Sequence, residues 1–140
     1  MRRKQALAAV GVCLLVASMP ASVLAHHAFS AEFDAESPVK FVDATVTKVE
    51  WINPHTWIHV EVKGVEWAIE AGTPNVLFRR DVNKESLKPG ALIVVDGYRA
   101  KDGSHRANGR SLTLSNGQTL FVGSSGTGAP SDGRDPTDRK

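Results

Sequence analysis

Residues 56–78 read TWIHVEVKGVEWAIEAGTPNVLF, and this stretch decides the fold. Ile58, Val60 and Val62 alternate with polar or aromatic residues. This two-residue period is typical of a strand with one buried face. Gly64 allows a tight connection to a second alternating run, which predicts a neighbouring strand. Thr73 and Pro74 then supply a helix cap and a first helical residue, so a short helix is expected next.

Further strands flank this stretch on both sides. A long strand is predicted over residues 42–51, and Asn53-Pro54 breaks it. After the helix, a turn at residues 88–90 leads into a strand over 92–99. Residues 101–109 are rich in Gly, Asp and Asn and predict a loop.

The last part of the domain has the pattern of a hairpin, because Asn116-Gly117 is a strong two-residue turn signal between strands over 111–114 and 119–122. Three strands, a short helix and two or three more strands form the element order of the five-stranded Greek-key barrel called the OB-fold. The sequence therefore predicts an all-β fold with one short helix, as a small OB-like barrel of five to six strands. A different small β-barrel or a sandwich is the alternative.

The first 25 residues have the layout of a secretory signal peptide. A basic MRRK start precedes an apolar run from Gln5 to Ser18, which is short for a membrane span of roughly 20 residues. Val23 and Ala25 suit the two positions before a peptidase cut. We therefore expect cleavage after Ala25, a periplasmic or secreted protein without a stable membrane anchor, and a mature chain that begins at His26.

Four segments follow from this interpretation. Residues 1–25 are the signal peptide, 26–35 an N-terminal arm, 36–122 the OB-like domain and 123–140 a disordered tail, because that tail has no large apolar residue. The one cysteine, Cys13, lies in the signal peptide. The mature domain is therefore expected to fold without a disulfide.

The charge of the mature chain excludes some classes of partner. Removing Arg2, Arg3 and Lys4 takes the 17 basic residues to 14 against 15 acidic ones, so the formal net charge falls from +2 to −1. A nearly neutral domain gives no electrostatic reason to expect a nucleic acid or an anionic membrane as partner. Without a thiol or a G-x-S-x-G elbow, the sequence does not favour an enzyme that works by acyl transfer.

Three carboxylates, Glu32, Asp34 and Glu36, lie close together at the end of the arm. A mobile arm lacks the burial that separates a general acid from a general base. A solvated acidic arm is the favoured interpretation, and oxygen ligation of a cation is the alternative.

A chain that begins at His26 can chelate a metal ion with its first residue. The His26 amine and ring Nδ1 are two of the nitrogens that a tetragonal Cu(II) site needs, and another histidine would complete an arrangement resembling the histidine brace of copper-dependent polysaccharide monooxygenases. His27 offers a competing mode through its own amide and ring nitrogens. The sequence predicts copper binding through these histidines, with a solvated His-His arm as the alternative; a copper-dependent oxidative enzyme ranks last.

The distal ligand is sought at the mouth of the barrel, where the loops between strands one and two and between strands four and five meet in an OB-fold. His55 lies in the first of these loops and His105 in the second. His59 follows His55 along a strand at about 13 Å, at roughly 3.3 Å per residue, so the two cannot share one ion. We expect His55 as the distal ligand, with His59 and His105 as less favoured substitutes. A ring that is only hydrogen-bonded to a backbone carbonyl is the alternative for His55.

The same mouth also suggests a function without a metal. Trp51, Trp57 and Trp67 are expected to form an aromatic wall there, and OB-folds use such aromatic side chains to stack ligands. Trp57, His59 and His105 are then the candidates that line a site for a small molecule or a protein partner of unknown identity. Packing in the core or at the rim is the other interpretation of the three tryptophans.

The segments HHAFSAEFD, VTKVEWINPHTWIHVEV and LKPGALIVVDGYRAKDGSHRANGRSLTL together resemble a family of exported bacterial proteins classed as a domain of unknown function. The likeness covers nearly the whole mature chain up to about Gly123. Its most specific pieces are the paired N-terminal histidines and the Asn-Pro-His motif at 53–55. The resemblance implies export, a single domain and a role for His26, His27 and His55, and it implies no established activity.

Overall fold

The computed structural model describes residues 29–124 and 129–130. Two short helices accompany six strands: the described part of α1 covers 29–32, and α2 (Pro74–Phe78) lies between the third and fourth strands. The protein is mostly β, as predicted, but it has one helix more than the sequence indicated. The strands are β1 (Phe33–Glu50), β2 (Trp57–Val62), β3 (Val65–Glu70), β4 (Leu92–Ala100), β5 (Arg106–Leu114) and β6 (Thr119–Phe121).

The six strands form one sheet that closes in a ring. Their order is β3-β2-β1-β4-β5-β6, and every neighbouring pair in this order is antiparallel. The ring is closed by a parallel pairing of β3 with β5, which runs from Ala68↔Arg106 to Glu70↔Asn108. Strand β6 continues the sheet from β5 and lies outside the ring.

Strand β1 begins nine residues before the start that the sequence predicted. Its first part pairs with β4, from Phe33↔Ala100 onward, and its last part pairs with β2. Register shifts interrupt both pairings, and such bulges bend a strand and increase its twist. The early start depends on the pairing with β4, which no local pattern reveals.

Residues 29–35 belong to the N-terminal arm predicted over 26–35, but they pack against the sheet and do not form a mobile, solvated arm. Phe29 and Phe33 are only 3% and 2% exposed, and they pack with Tyr98 and Ala100 in a small cluster separate from the main core. The burial of two aromatic rings offsets the cost of ordering this segment. The acidic residues Glu32, Asp34 and Glu36 made this segment look solvent-exposed in the sequence, so the burial of the two phenylalanines was not predicted.

The main core fills the inside of the ring. The alternation predicted for β2 is confirmed, because Ile58 and Val60 are fully buried while Trp57 and His59 are half-buried on the other face. Helix α2 begins as predicted: the Thr73 side chain accepts a hydrogen bond from the backbone N–H of Val76 at 3.3 Å. Side chains from α2 and the following loop complete the core with Leu77, Val82 and Leu87.

The predicted loop over 101–109 is too long, because β5 begins at Arg106. Asn108 and Gly109, which suggested a loop, lie inside the strand where neighbouring elements approach closely. A Cβ at Gly109 would stand 2.8 Å from Cγ2 of Ile69, and one at Gly97 would stand 2.2 Å from the carbonyl oxygen of Asn108. Gly97 and Gly109 therefore allow β3, β4 and β5 to approach closely, and they do not form a turn.

Several predictions fall largely outside the described residues. These are the signal peptide, its cleavage after Ala25, and the predicted metal ligands His26 and His27. Of the predicted tail, Gly123 accepts a hydrogen bond from Arg80 at 2.8 Å, and Ala129 packs against the cluster of Phe29 and Phe33. Within residues 29–124 and 129–130, no helix has the length and apolar character needed to cross a membrane.

The close approach at Gly97 yields a stability prediction. The variant Gly97→Ala should lower the free energy of unfolding by about 1–3 kcal/mol, because its methyl group meets backbone atoms that cannot move without disturbing the β4–β5 pairing. Denaturant unfolding measures this loss. Gly72→Ala is the matched control, since its Cβ would stand 3.4 Å from the carbonyl oxygen of Gly123, an ordinary van der Waals contact. Equal losses in the two variants would contradict the packing described.

Candidate functional site

Four side chains form a row across the outer face of the ring. The register pairs Trp57 of β2 with Glu70 of β3, Glu70 with Asn108 of β5, and Asn108 with Tyr98 of β4. Residues that are paired directly project on the same side of a sheet. Ile69, the neighbour of Glu70, is fully buried in the core, so the row faces outward. We call these four residues the platform.

A cavity of about 300 Å³ lies at the Trp57–Glu70 end of the platform. The β1–β2 loop lines one side of it with residues 52–55, and Glu32 and Phe33 line another. The cavity therefore brings together a loop, the platform and the segment that leads back toward the N-terminus.

His55 is held inside this cavity by a buried carboxylate. Its Nδ1 lies 2.7 Å from Oε1 of Glu70, and Glu70 is only 7% exposed. The hydrogen bond to Glu70 raises the pKa of His55; burial opposes this, and the negative charges of Glu70 and Glu32 add to it. The ring partner is thus a side-chain carboxylate and not the backbone carbonyl considered as the alternative.

The contact with Glu70 decides which nitrogen of His55 is available for chemistry. Because Nδ1 faces the carboxylate, Nε2 is the ring nitrogen that can bind a ligand in the cavity. A carboxylate on the outer ring nitrogen is the usual companion of a metal-binding histidine, because it fixes the tautomer and the ring orientation. The geometry therefore suits His55 to metal ligation through Nε2.

The other two described histidines do not line the cavity. His59 stands between two carboxylates, with Nε2 3.4 Å from Glu50 and Nδ1 3.4 Å from Glu66. The ring of His105 packs on Trp67 with 5.0 Å between centroids. The expectation that His105 joins His55 at one mouth is therefore wrong, and His59 has both ring nitrogens engaged.

The three tryptophans do not form the expected wall. Trp57 lines the cavity, whereas Trp51 stacks on Phe78 at 5.1 Å and Trp67 packs on Phe41 at 4.7 Å. The reason is the pleat: Trp67 stands on the face of β3 that packs against the core, and Trp57 stands on the outer face of β2.

Sequence reasoning missed two residues of the site, Glu70 and Arg106. Arg106 donates a hydrogen bond to Glu32 at 3.2 Å and another to Asp102 at 3.0 Å. Hydrogen bonds from Ser104, with help from Arg106, lower the pKa of Asp102 to about 2. Glu70 is the last residue of an ordinary alternating strand, and its neighbours Asn108 and His55 are distant or in a loop, so local patterns give no signal for its role.

The described residues do not by themselves complete a metal site. Within residues 29–124 and 129–130, no three His, Cys, Asp or Glu side chains form a group that could hold a metal ion. The cavity contributes His55 and nearby carboxylates. His26 and His27, the other predicted ligands, precede residue 29 and lie outside the described residues.

Comparison with known proteins identifies a family. A family model described as a family of unknown function, DUF6152, matches residues 12–109. The resemblance to a family of unknown function is thereby confirmed. Neither the curated proteins nor the solved structures include a match to the chain.

The pair of His55 and Glu70 yields a prediction for pH dependence. His55 should titrate above its ordinary value of 6.5, and Glu70→Gln should lower that pKa because it removes the carboxylate. A pKa that is higher in the folded state stabilises the fold below the unfolded-state value, and this contribution disappears as the pH rises through the folded-state value. The stability difference between wild type and Glu70→Gln should therefore shrink as the pH is raised through that window.

NMR titration of the histidine rings, with parallel unfolding curves, measures both effects. Glu66→Gln is the matched control, because it removes a carboxylate beside His59 rather than His55. An unchanged His55 titration in Glu70→Gln would show that the carboxylate does not set the protonation of this ring.

Proposed function

Because this chain belongs to DUF6152, a family of unknown function, its role must be sought in its own site, and we propose that it is an exported OB-like barrel protein that binds copper. The ligands are the amine and ring of His26, made N-terminal by cleavage after Ala25, together with Nε2 of His55. His27 assists. The protein works in the periplasm or outside the cell.

The strand order supports the OB-like assignment. The ring runs β1-β2-β3-β5-β4 and returns to β1, with α2 between β3 and β4. This is the element order of the five-stranded Greek-key barrel, in which the first loop borders the ligand site. His55 lies in that loop.

The observation that carries the copper proposal is the contact between His55 and Glu70. A buried carboxylate at 2.7 Å orients the ring and reserves Nε2 for a ligand in the cavity. The N-terminal amine, the His26 ring and Nε2 of His55 supply three nitrogens, which suits the tetragonal geometry of Cu(II) and leaves one equatorial position for water or a partner's ligand.

The path of the chain also supports the proposal. Glu32 and Phe33 border the same cavity as His55, so the described segment that precedes β1 passes beside this histidine. A brace requires such an approach, because its first residue must meet a histidine distant in sequence.

A second candidate is a module that binds a small molecule or a protein without a metal. The half-buried ring of Trp57 and the exposed side chain of Ile52 support it, since they give the cavity apolar walls. The two candidates differ at the N-terminus: one extra residue before His26 destroys a brace and leaves an apolar cavity unchanged.

The copper proposal predicts a preformed site in the processed chain. Titration of protein that begins at His26 with Cu(II) should reach one equivalent, and electron paramagnetic resonance should show a tetragonal, nitrogen-rich signal that persists against a competing chelator. His55→Ala should weaken the affinity by more than about tenfold and remove one nitrogen from the signal.

His105→Ala is the matched control, because it removes a histidine that does not line the cavity. Affinity and spectrum should stay as in the wild type. A wild-type spectrum equal to that of a short peptide beginning His-His, unaltered in His55→Ala, would reject the copper site and leave the second candidate.

A further inference from the structure

The cavity beside His55 carries negative charge. Two carboxylates line it, those of Glu32 and Glu70, and no lysine or arginine of the described chain does so. Arg106 donates a hydrogen bond to Glu32 at 3.2 Å, so that carboxylate already has a cation beside it. The charge that remains for a ligand is therefore that of Glu70.

Glu70 has one carboxylate oxygen to spare. Oε1 lies 2.7 Å from Nδ1 of His55, whereas no donor within residues 29–124 and 129–130 bonds Oε2. The residue is only 7% exposed and borders the cavity. A hydrogen bond to a charged group that is largely withdrawn from bulk water is stronger than one at the surface. This position therefore favours a ligand that donates.

His55 adds a second acceptor in the same cavity. A neutral imidazole has one ring nitrogen that donates and one that accepts. Because Nδ1 donates to Glu70, the neutral ring presents Nε2 as an acceptor. A protonated primary amine has three N–H donors and a positive charge, so it can donate to both acceptors and balance the charge of the carboxylate.

Trp57 and its neighbours provide walls for an apolar body. Trp57 pairs with Glu70 across β2 and β3, so the indole and the carboxylate project from the sheet side by side. An ammonium group that meets Glu70 therefore stands near the indole, where cation–π attraction adds to the hydrogen bonds. Phe33, Ile52 and Pro54 line the rest of the cavity, and its volume of about 300 Å³ suits a small molecule.

We propose that this cavity binds a small organic primary ammonium ion, whose N–H groups donate to Oε2 of Glu70 and Nε2 of His55 while its apolar body packs on Trp57. The inference goes beyond the copper proposal, because it needs no metal and uses only described residues. It gives the second candidate, a module that binds a small molecule, a chemical class of ligand.

The test uses 2-phenylethylamine as the probe, with a chelator present so that no metal contributes. NMR titration, at a pH above that at which His55 loses its proton, follows the signals of the Trp57 indole and the His55 ring. 2-Phenylethanol has nearly the same shape without the charge, and phenylacetate has the opposite charge. The amine should bind at least about tenfold more tightly than the alcohol, and phenylacetate should bind more weakly than both.

Glu70→Gln keeps the shape of the side chain and removes its charge. This variant should lose most of the preference for the amine over the alcohol while it binds the alcohol within about twofold of the wild type. Glu66→Gln is the matched control, because it removes a carboxylate of the same strand that does not line the cavity. It should keep the preference of the wild type.

Trp57→Leu tests the aromatic wall. It should weaken binding of the amine about two- to fivefold more than binding of the alcohol, because only the cation loses a cation–π contact. Trp51→Leu is the control, since Trp51 stacks on Phe78 and does not line the cavity.

Protonation of His55 should oppose binding of the amine. An imidazolium turns Nε2 from an acceptor into a donor and places a positive charge beside the ammonium group. The charged groups that face His55 are Glu70 of β3 and Glu32 of α1, and both raise its pKa. Affinity for the amine should therefore fall as the pH is lowered through the His55 titration, and saturating amine should lower the pKa of His55.

Equal affinity of the wild type for the amine and the alcohol would overturn the inference, as would a preference that survives Glu70→Gln. If hydrogen exchange at the buried Ile58 amide shows that Glu70→Gln does not fold, the wild-type preference and the Trp57→Leu comparison decide. Failure here leaves the copper site standing, because copper is tested by metal titration. Failure of the copper titration likewise leaves the amine site standing.

Discussion

The parallel pairing of β3 with β5 is the contact on which the other features depend. It joins only Ala68 to Arg106, Ile69 to Ala107 and Glu70 to Asn108, yet it turns a six-stranded sheet into a ring with an inside. Without it β3 would have β2 as its one neighbour in the sheet, and the ring around the main core would be open. The same three pairs bring Glu70 and Asn108 side by side, so the platform exists only in the closed ring.

Closure of the ring also accounts for the contact between Glu70 and His55. A carboxylate that is 7% exposed is costly unless it has a partner, and the β1–β2 loop supplies one in His55. The buried Glu70 therefore orients the ring of His55, and the raised pKa of His55 is the electrostatic consequence. The contact between His55 and Glu70 thus links the fold to the site.

The sequence predicts the local features well and the distant ones poorly. The strand alternation around Gly64, the cap at Thr73 and the strands around Asn116-Gly117 were all predictable, because each depends on neighbours in the chain. His55 could be identified as a candidate from its place in a loop. Glu70 could not, because it pairs with a strand almost 40 residues away. His105 does lie in the β4–β5 loop, but its ring packs on Trp67 and does not line the cavity, and this contact between distant residues has no local signal.

The two apolar clusters hold different parts of the structure. The main core stabilises the ring, whereas the cluster of Phe29 and Phe33 holds only the segment that borders the cavity. Ordering this segment costs conformational entropy, and aromatic burial offsets that cost before any ligand arrives. A ligand that enters the cavity therefore does not have to order residues 29–33, because that loss of chain entropy has already occurred. The packing of residues 29–33 and the closure of the ring thus depend on separate groups of apolar side chains.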